Sequence, residues 1–323
     1  MSKLRLSVAM CTYNGARFLG QQLESIAAQT RLPDELIVCD DQSTDESIEI
    51  IKSFARHAPF PVRVESNEKN LGVTKNFEKT IGLCAGDVIA LSDQDDVWHP
   101  EKLIRSESIL CQRPSVGLVF TDADVVDEGL TPLDVRLWDW VRFARSERKS
   151  VLEGHGLEVL LNHNVVTGAT MVFRATFKPL VLPIPGIWVH DGWIALLICV
   201  RAELALIPDP LISYRKHALQ QTGLPDLTFA GRLEAARRNR SAEYWEELQR
   251  YAMAIGRLEQ SNSEFDLSSV RSQFCLKTMH LCARARMPRR RVQRLAPVFR
   301  ELATMRYRRF SRGWRSAVSD LAV

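Results

Sequence analysis

Leu91-Ser-Asp-Gln-Asp-Asp-Val-Trp-His-Pro100 is the stretch that decides how the rest of the chain reads. The residues leading into it, Gly86-Asp-Val-Ile-Ala-Leu91, have the composition of a short buried strand: apolar, β-branched and entered through a glycine. A strand that runs directly into Asp93, Asp95 and Asp96 delivers three carboxylates to its carboxyl end. In open α/β sheets that end is where ligands bind. Carboxylates this close repel one another unless a cation or a proton shares the site. They therefore either hold a metal or form a solvated acidic turn that caps a helix starting near Pro100, and the surrounding sequence has to choose.

Upstream, strand and helix patterns alternate. Leu4 to Cys11 is β-rich and ends in the turn signal Thr12-Tyr-Asn-Gly15; Phe18, Leu19, Leu23, Ile26 and Ala27 then recur at helical spacing. Pro33 and Asp34 break that helix before a second strand, Glu35 to Cys39, which ends in Asp40-Asp-Gln-Ser-Thr-Asp45. Ser43 or Thr44 can cap the next helix, carrying Ile48, Ile51 and Phe54. Val62 to Glu65 is a third strand, followed by Asn67-Glu-Lys-Asn-Leu-Gly72 and a helix through Phe77, Ile81 and Leu83. Such alternation with short connections predicts an α/β fold with a mainly parallel sheet flanked by helices. Polar clusters at Thr12–Asn14, Asp40–Asp41 and Asp93–Asp96 then converge on one sheet edge, which solvation alone does not explain. No G-x-G-x-x-G follows the first strand and no G-x-x-x-x-G-K-[ST] occurs, which disfavours dinucleotide and P-loop sites. Asp41 could accept a hydrogen bond from the imide N–H of uracil or thymine. Tyr13 offers an aromatic face to the base, unless it is simply a packed core aromatic. A divalent cation at Asp93 and Asp95 could bridge a diphosphate.

Composition sets the frame. With 323 residues, 46% hydrophobic and 25% charged, the chain can form a catalytic domain plus an appendage. Seven cysteines form no C-x-x-C pair, which suits a reducing cytoplasm rather than a disulfide framework or a zinc knuckle. The apolar run at the start is too short for a signal peptide, and Ile194 to Ile207 is interrupted by Arg201 and Glu203, against a membrane span. The net charge of +4 is uneven: from residue 231 onward 20 Lys and Arg face 9 Asp and Glu, a surplus of +11 that leaves −7 for residues 1–230.

The set Ser7-Val-Ala-Met-Cys-Thr-Tyr-Asn14, Asp40-Asp-Gln-Ser-Thr-Asp45, Asn70-Leu-Gly72, Gly86-Asp87 and Asp93-Gln-Asp-Asp-Val-Trp98, in this order and spacing, resembles the family 2 glycosyltransferases of the GT-A (nucleotide-diphospho-sugar transferase) fold. The resemblance covers roughly residues 4–225. With His190-Asp-Gly-Trp193 and Tyr214-Arg-Lys-His217, the form SDQDDVW is similar to bacterial rhamnosyltransferases of surface-polysaccharide assembly. Cys11 departs from the proline or threonine of many relatives and reads as a packing change. The resemblance implies an inverting transferase that uses Mg²⁺ or Mn²⁺. Nucleotide binding would fall to Thr12, Tyr13, Asn14, Asp41, Asn70 and Asp93, and metal binding to Asp93, Asp95 and His217. Asp96, Trp98, Gly168, His190 and Arg215 would face the donor or acceptor sugar.

Further along, Val116 to Val126 is a long β-rich run with Asp122, Asp124 and Asp127 at its end, and Leu130 to Ser150 reads as a loop or short helices over the site. Trp138 and Trp140 there either pack a lid or stack on sugar or lipid. Asn164 to Phe173 resembles the family's strand entering the acceptor face, with Gly168 allowing close approach to the donor sugar. An inverting transfer needs a base on the face opposite the diphosphate. Asp191, at the start of an apolar helix, suits that role in this family's context; the rival role is a helix cap. Arg215, Lys216 and His217 would place positive charge near the diphosphate. Gln220, Gln221, Thr222, Gly223 and Pro225 read as the end of the catalytic domain, giving a GT-A domain over residues 1–225 and a basic helical extension over 226–323. In that extension Val292, Leu295, Val298, Phe299, Leu302, Met305 and Phe310 keep an apolar stripe among arginines. A basic amphipathic segment either docks on an anionic membrane surface or packs back on the protein; with no recognisable module, nucleic acid is disfavoured.

The expected protein is thus a cytoplasmic enzyme, or one peripheral on the inner face of the membrane. It would move a sugar from a nucleoside-diphosphate donor to a polysaccharide or lipid-linked glycan. Two rival readings are a nucleotidylyltransferase, which needs a Gly-rich phosphate loop absent here, and a catalytically inactive nucleotide-sugar-binding module.

Overall fold

Leu6, Ser7, Val8, Ala9 and Met10 are all buried, which is what a central strand of a parallel sheet covered on both faces requires. They belong to β1 (Leu6–Thr12). The computed structural model describes residues 3–218, 220, 240–261, 266–288 and 290–322. In the first stretch β1 is followed by α1 (Ala16–Ala27), β2 (Glu35–Asp40), α2 (Ser47–Ala55), β3 (Val62–Ser66), α3 (Val73–Leu83), β4 (Val88–Ser92), β5 (Val97–Trp98) and α4 (Lys102–Gln112). Next come β6 (Val116–Val126), β7 (Pro132–Arg136), α5 (Leu137–Trp140), α6 (Arg145–Leu152), α7 (Gly156–Asn162), β8 (Met171–Arg174), α8 (Lys178–Val181), α9 (His190–Arg201) and β9 (Glu203–Arg215).

Among the described residues nine strands form one sheet in the order β3-β2-β1-β4-β8-β6-β9-β5, with β7 paired to β6. The pairs β1–β2, β2–β3, β1–β4 and β6–β9 are parallel. β8 inserts antiparallel between β4 and β6, and β5 and β7 are antiparallel additions. The helix–strand alternation of the first hundred residues is as the pattern implied. Strand order reverses beside β1, between β2 on one side and β4 on the other, so the switch point falls at the carboxyl ends of β1 and β4.

The second half differs in detail from the pattern. The expected strand from Asn164 is confined to Met171–Arg174, preceded by a 3₁₀ turn at Gly168–Thr170. Residues 130–150 include a strand, β7, before the two short helices. β9 runs through Tyr214 and Arg215, and its Pro208 and Pro210 are accommodated where the register with β6 shifts between Thr121 and Asp122.

The chain groups into two compact units, Met1–Gly156 with Val165–Gly223, and Leu157–Asn164 with Leu224–Val323. The expected domain end at Gln221, Thr222, Gly223 and Pro225 lies outside the described residues. The second unit contains α10 (Arg240–Gln260), α11 (Ser268–Ala285), α12 (Arg291–Ala303), α13 (Arg306–Phe310) and α14 (Trp314–Ala322). Its core includes Tyr251 and Phe274 in a T-shaped contact at 6.0 Å and a cluster of Val298, Tyr307 and Ala317. Buried ion pairs tie its helices together: His280 to Glu301 at 2.8 Å, Arg306 to Glu301 at 2.9 Å and Arg284 to Asp320 at 2.7 Å. No helix among the described residues is long and apolar enough to cross a membrane.

Candidate active site

The ends of β1, β2 and β4 open into a cleft of about 290 Å³ whose lining includes Thr12, Tyr13, Asn14, Asp41, Asp93, Asp95, Tyr214 and His217. The two strand ends on one side are laced together. Thr12 Oγ1 donates to Asp40 Oδ1 at 2.7 Å, and Asp40 Oδ2 accepts the Ser43 N–H at 2.8 Å. Asn14 has the left-handed φ of 49°, a conformation asparagine tolerates. There its N–H donates to Ser43 Oγ at 2.8 Å and its Oδ1 accepts the Thr44 N–H at 2.8 Å. Tyr13 is bracketed from the acidic turn: its N–H donates to Gln94 Oε1 at 2.8 Å, and Gln94 Nε2 donates to its carbonyl at 3.0 Å. Sequence reasoning missed Gln94. A Cβ on Gly15 would lie 2.2 Å from Gln94 Oε1, so the glycine of the turn is needed for this clasp.

Asp41 is buried, and its carboxylate already accepts three hydrogen bonds, from Asn67 Nδ2 and Leu71 N–H at 2.7 Å and Gly72 N–H at 2.8 Å. An ionised carboxylate has about four lone-pair sites, so one remains for a ligand. Asn70 is exposed and supports this loop by donating from Nδ2 to the Asp41 carbonyl at 3.1 Å.

The acidic turn separates into two faces. Asp93 sits half-buried in the cleft, where loss of solvent, then the charges of Asp95 and Asp191, push its carboxyl up to about 7; Lys102 pulls the other way. His217 Nε2 lies 2.7 Å from Asp95 Oδ2. Behind the turn the expectations need correcting. Asp96 is wholly buried, raised by burial and by its neighbours Asp95 and Asp93, and accepts the Arg215 N–H at 3.1 Å. Trp98 is buried as well, with Lys102 Nζ 3.5 Å from its ring centroid. The Arg215 guanidinium donates to the Asp95 carbonyl at 2.7 Å, to Gln21 Oε1 at 2.6 Å and to the Glu128 carbonyl, and lies 4.4 Å over the Phe18 ring. Asp96, Trp98 and Arg215 therefore brace the turn from within the core rather than face a sugar. The buried Lys102, pushed down to about 7 by burial against the pull of Asp96 and Asp93, was not singled out from sequence.

Asp191 stands in the first turn of α9. Gly168 N–H lies 3.3 Å from its Oδ2, and the Gly192 N–H donates to its Oδ1. Asp191 is close enough to Asp93 to help raise that carboxyl. His190 is buried and stacked on Phe77 with ring centroids 4.1 Å apart, and burial holds its imidazole down at about 3. Neither ring nitrogen has a hydrogen-bond partner among the described residues. A Cβ on Gly168 would lie 2.6 Å from His190 Nε2, so Gly168 makes room for this ring, and His190 is a core group behind the cleft rather than a sugar contact. Asp122 and Asp124 are engaged elsewhere: Asp122 accepts the Trp138 N–H at 3.0 Å, and Asp124 pairs with Arg136 at 3.3 Å. Trp138 is buried in a T-shaped contact 5.4 Å from Phe143, which makes it a packing residue.

Among the described residues no three His, Cys, Asp or Glu are already gathered in a metal-holding arrangement. The donor chemistry nevertheless fits Mg²⁺ or Mn²⁺: carboxylate oxygens of Asp93 and Asp95 with the His217 imidazole beside them. The raised carboxyl of Asp93 marks an ionisation that lacks a sufficient countercharge.

Residues 7–153 match the model of the family described as Glycosyl transferase family 2. An uncharacterised protein of Mycobacterium tuberculosis is 27% identical over 217 residues, which is 66% of this chain and 59% of the relative, so the match spans less than two thirds of that protein's length. A dTDP-rhamnosyl transferase of Shigella flexneri is 36% identical over 98 residues, 29% of this chain and 34% of the relative. Among solved structures, residues 1–349 of TarS from S. aureus in complex with UDP-GlcNAc superpose with a TM-score of 0.58 at 15% identity, covering 92% of this chain and 80% of that one. A mannosyltransferase from Pyrobaculum calidifontis in complex with GDP-Man and Mn²⁺ gives 0.57 at 15% identity, over 100% and 85%. Residues 7–153 thus resemble the family 2 glycosyltransferases, and the fold is of the GT-A type.

Proposed function

We infer that the protein is a divalent-metal-dependent, inverting glycosyltransferase. It moves a hexose or deoxyhexose, such as rhamnose, from a nucleoside diphosphate to a glycan or lipid-linked acceptor at the inner face of a membrane. One observation carries the reading: Asp191, at the start of α9, stands near enough to the acidic turn after β4 for its charge to act on Asp93. A nucleotide fold with a second, separately positioned carboxylate is what an inverting transfer needs. The base would lie against Tyr13 with its imide N–H toward Asp41. Asp93, Asp95 and His217 would hold Mg²⁺ or Mn²⁺, which when bound supplies positive charge to the leaving diphosphate. Asp191 would take the acceptor hydroxyl proton as the new oxygen–C1 bond forms opposite the breaking one. The superposing structures, one holding UDP-GlcNAc and the other GDP-Man with Mn²⁺, support the donor class, and the Shigella relative supports a deoxyhexose.

Asp191→Asn separates this reading from an inactive binding module. Asparagine keeps the shape and any cap but takes no proton. Removing a general base typically slows transfer ~10²–10⁴-fold, roughly 3–5 kcal/mol of barrier. Losing a cap costs about 1 kcal/mol of stability instead. With UDP-, GDP- and dTDP-sugars and Mn²⁺, turnover of the accepted donor should collapse while nucleotide affinity and melting temperature stay near wild type. Turnover within a few-fold of wild type rejects Asp191 as base. No turnover of any donor by the wild type, with nucleotide still bound, favours the binding module.

A further inference from the structure

The apolar stripe of the last hundred residues divides into two faces once folded. In α12, Val298 is buried and Leu302 packs against the same cluster, whereas Val292 is 78% exposed, Phe299 68% and Leu295 45%. At 3.6 residues per turn these three exposed side chains lie together about a quarter-turn round the helix from Val298. α14 repeats the arrangement: Ala317 is buried, while Trp314 is 68% exposed and Val318 54%. Each helix therefore satisfies its own core and still presents a second apolar strip, which monomeric soluble surfaces seldom do without a partner. Arginines edge the strips. Arg291 and Arg300 flank the one on α12, Arg315 follows Trp314, and Arg308 and Arg309 stand exposed on the short helix between. None of these five forms an ion pair with a described residue, unlike Arg284 and Arg306, which are spent on the core.

We propose that this face of α12 and α14 docks on a bilayer containing anionic phospholipid, with Val292, Leu295, Phe299, Trp314 and Val318 entering the headgroup–acyl boundary and the unpaired arginines meeting phosphates. Charge complementarity selects the occupant. The surplus of +11 from residue 231 onward disfavours self-association of this face, and an apolar strip edged by cations is what an anionic interface accepts. A membrane-borne acceptor, as in the reading above, gives such docking its use; the face itself follows from side-chain exposure and charge.

Deleting the segment is the wrong test, because Glu301 and Asp320 satisfy His280 and Arg284 of α11. The test uses the full chain with Phe299→Ser plus Trp314→Ser, and separately Arg308→Gln plus Arg309→Gln, against vesicles of phosphatidylcholine with and without phosphatidylglycerol. Wild type should sediment with the anionic vesicles and much less with the neutral ones. The apolar pair should weaken that binding by more than about tenfold, and each arginine by roughly fivefold at low salt. Melting temperature should stay unchanged, since the altered side chains are exposed. Failure to bind anionic vesicles overturns the proposal, as does binding indifferent to both pairs of changes. So does a stable dimer that Phe299→Ser plus Trp314→Ser converts to monomer, which would assign the face to a second copy. Nucleotide-sugar turnover measured in the same preparations fails or survives independently, so the loss of one conclusion is not mistaken for the loss of the other.

Discussion

Acidification should expose the unusual state of His190. The imidazole is buried, stacked on Phe77 and without a partner for either nitrogen among the described residues, and burial holds it down at about 3 from an ordinary 6.5. The folded protein therefore keeps His190 neutral while the unfolded chain takes up a proton below about pH 6.5. The unfolded state binds more protons across that window, so stability falls as pH falls, beginning near 6.5 and ending only near 3. Full titration over this window corresponds to about 5 kcal/mol; between pH 7 and 5 the loss is about 2 kcal/mol. At roughly 2–4 °C per kcal/mol, that is a fall of about 4–8 °C in Tm. The assay is calorimetric melting at pH 7, 6 and 5 on wild type and His190→Leu, a substitution of similar volume that cannot titrate. Other groups contribute equally to both proteins, so the difference isolates His190. The variant should lose less on acidification by about 2 kcal/mol. A difference flat between pH 7 and 5 would refute the buried neutral imidazole and imply a proton shared with Asp191 or water.

Two further changes probe the same cleft. Gly168→Ala would place a Cβ 2.6 Å from His190 Nε2; overpacking of this kind costs about 1–3 kcal/mol, and melting together with donor turnover should show both falling while nucleotide affinity holds. Asp95→Asn removes a carboxylate that faces His217 at 2.7 Å, and calorimetric titration with Mn²⁺ in the presence of UDP should show affinity lowered by at least about tenfold, with an unchanged titration removing Asp95 from the metal site.

What could be read without coordinates followed from local rules. Parallel strands buried on both faces are short continuous apolar runs, so β1, β2 and β4 announce themselves, and the polar groups just beyond them must share the sheet's carboxyl edge. Less legible was which side of the acidic turn each residue faces. Asp95 and Asp96 are adjacent, yet one lines the cleft and the other is buried, because Asp96 accepts a hydrogen bond from Arg215, 119 residues away in sequence. Arg215 shares its motif with Tyr214 and His217, but side chains alternate along β9, so Tyr214 reaches the cleft while Arg215 turns to Phe18 and Gln21. The β5–β9 pairing that sets this alternation, Trp98 opposite Ile212, has no local signature. The glycine at 168 was noticed for the right reason, close approach, but what approaches it is His190 rather than a ligand. In α12 a single apolar stripe concealed two faces, because composition cannot say which hydrophobic residues the neighbouring helices will cover.

The charges around the acidic turn give these placements a common physical sense. Burial raises Asp93 and Asp96 and lowers Lys102, although the attraction between the lysine and the two carboxylates acts in the opposite direction on all three. Desolvation thus outweighs pairing, and one ammonium held against an indole face does not neutralise the turn. Arg215 cannot relieve it, since its guanidinium is committed to Gln21 and to the carbonyls of Asp95 and Glu128. Asp191, at the start of α9, adds a further negative charge. Near neutral pH the turn is therefore poised between holding protons and holding a cation. Asp93 and Asp95, with His217 beside them, would hold a divalent ion whose positive charge would offset the repulsion among these carboxylates.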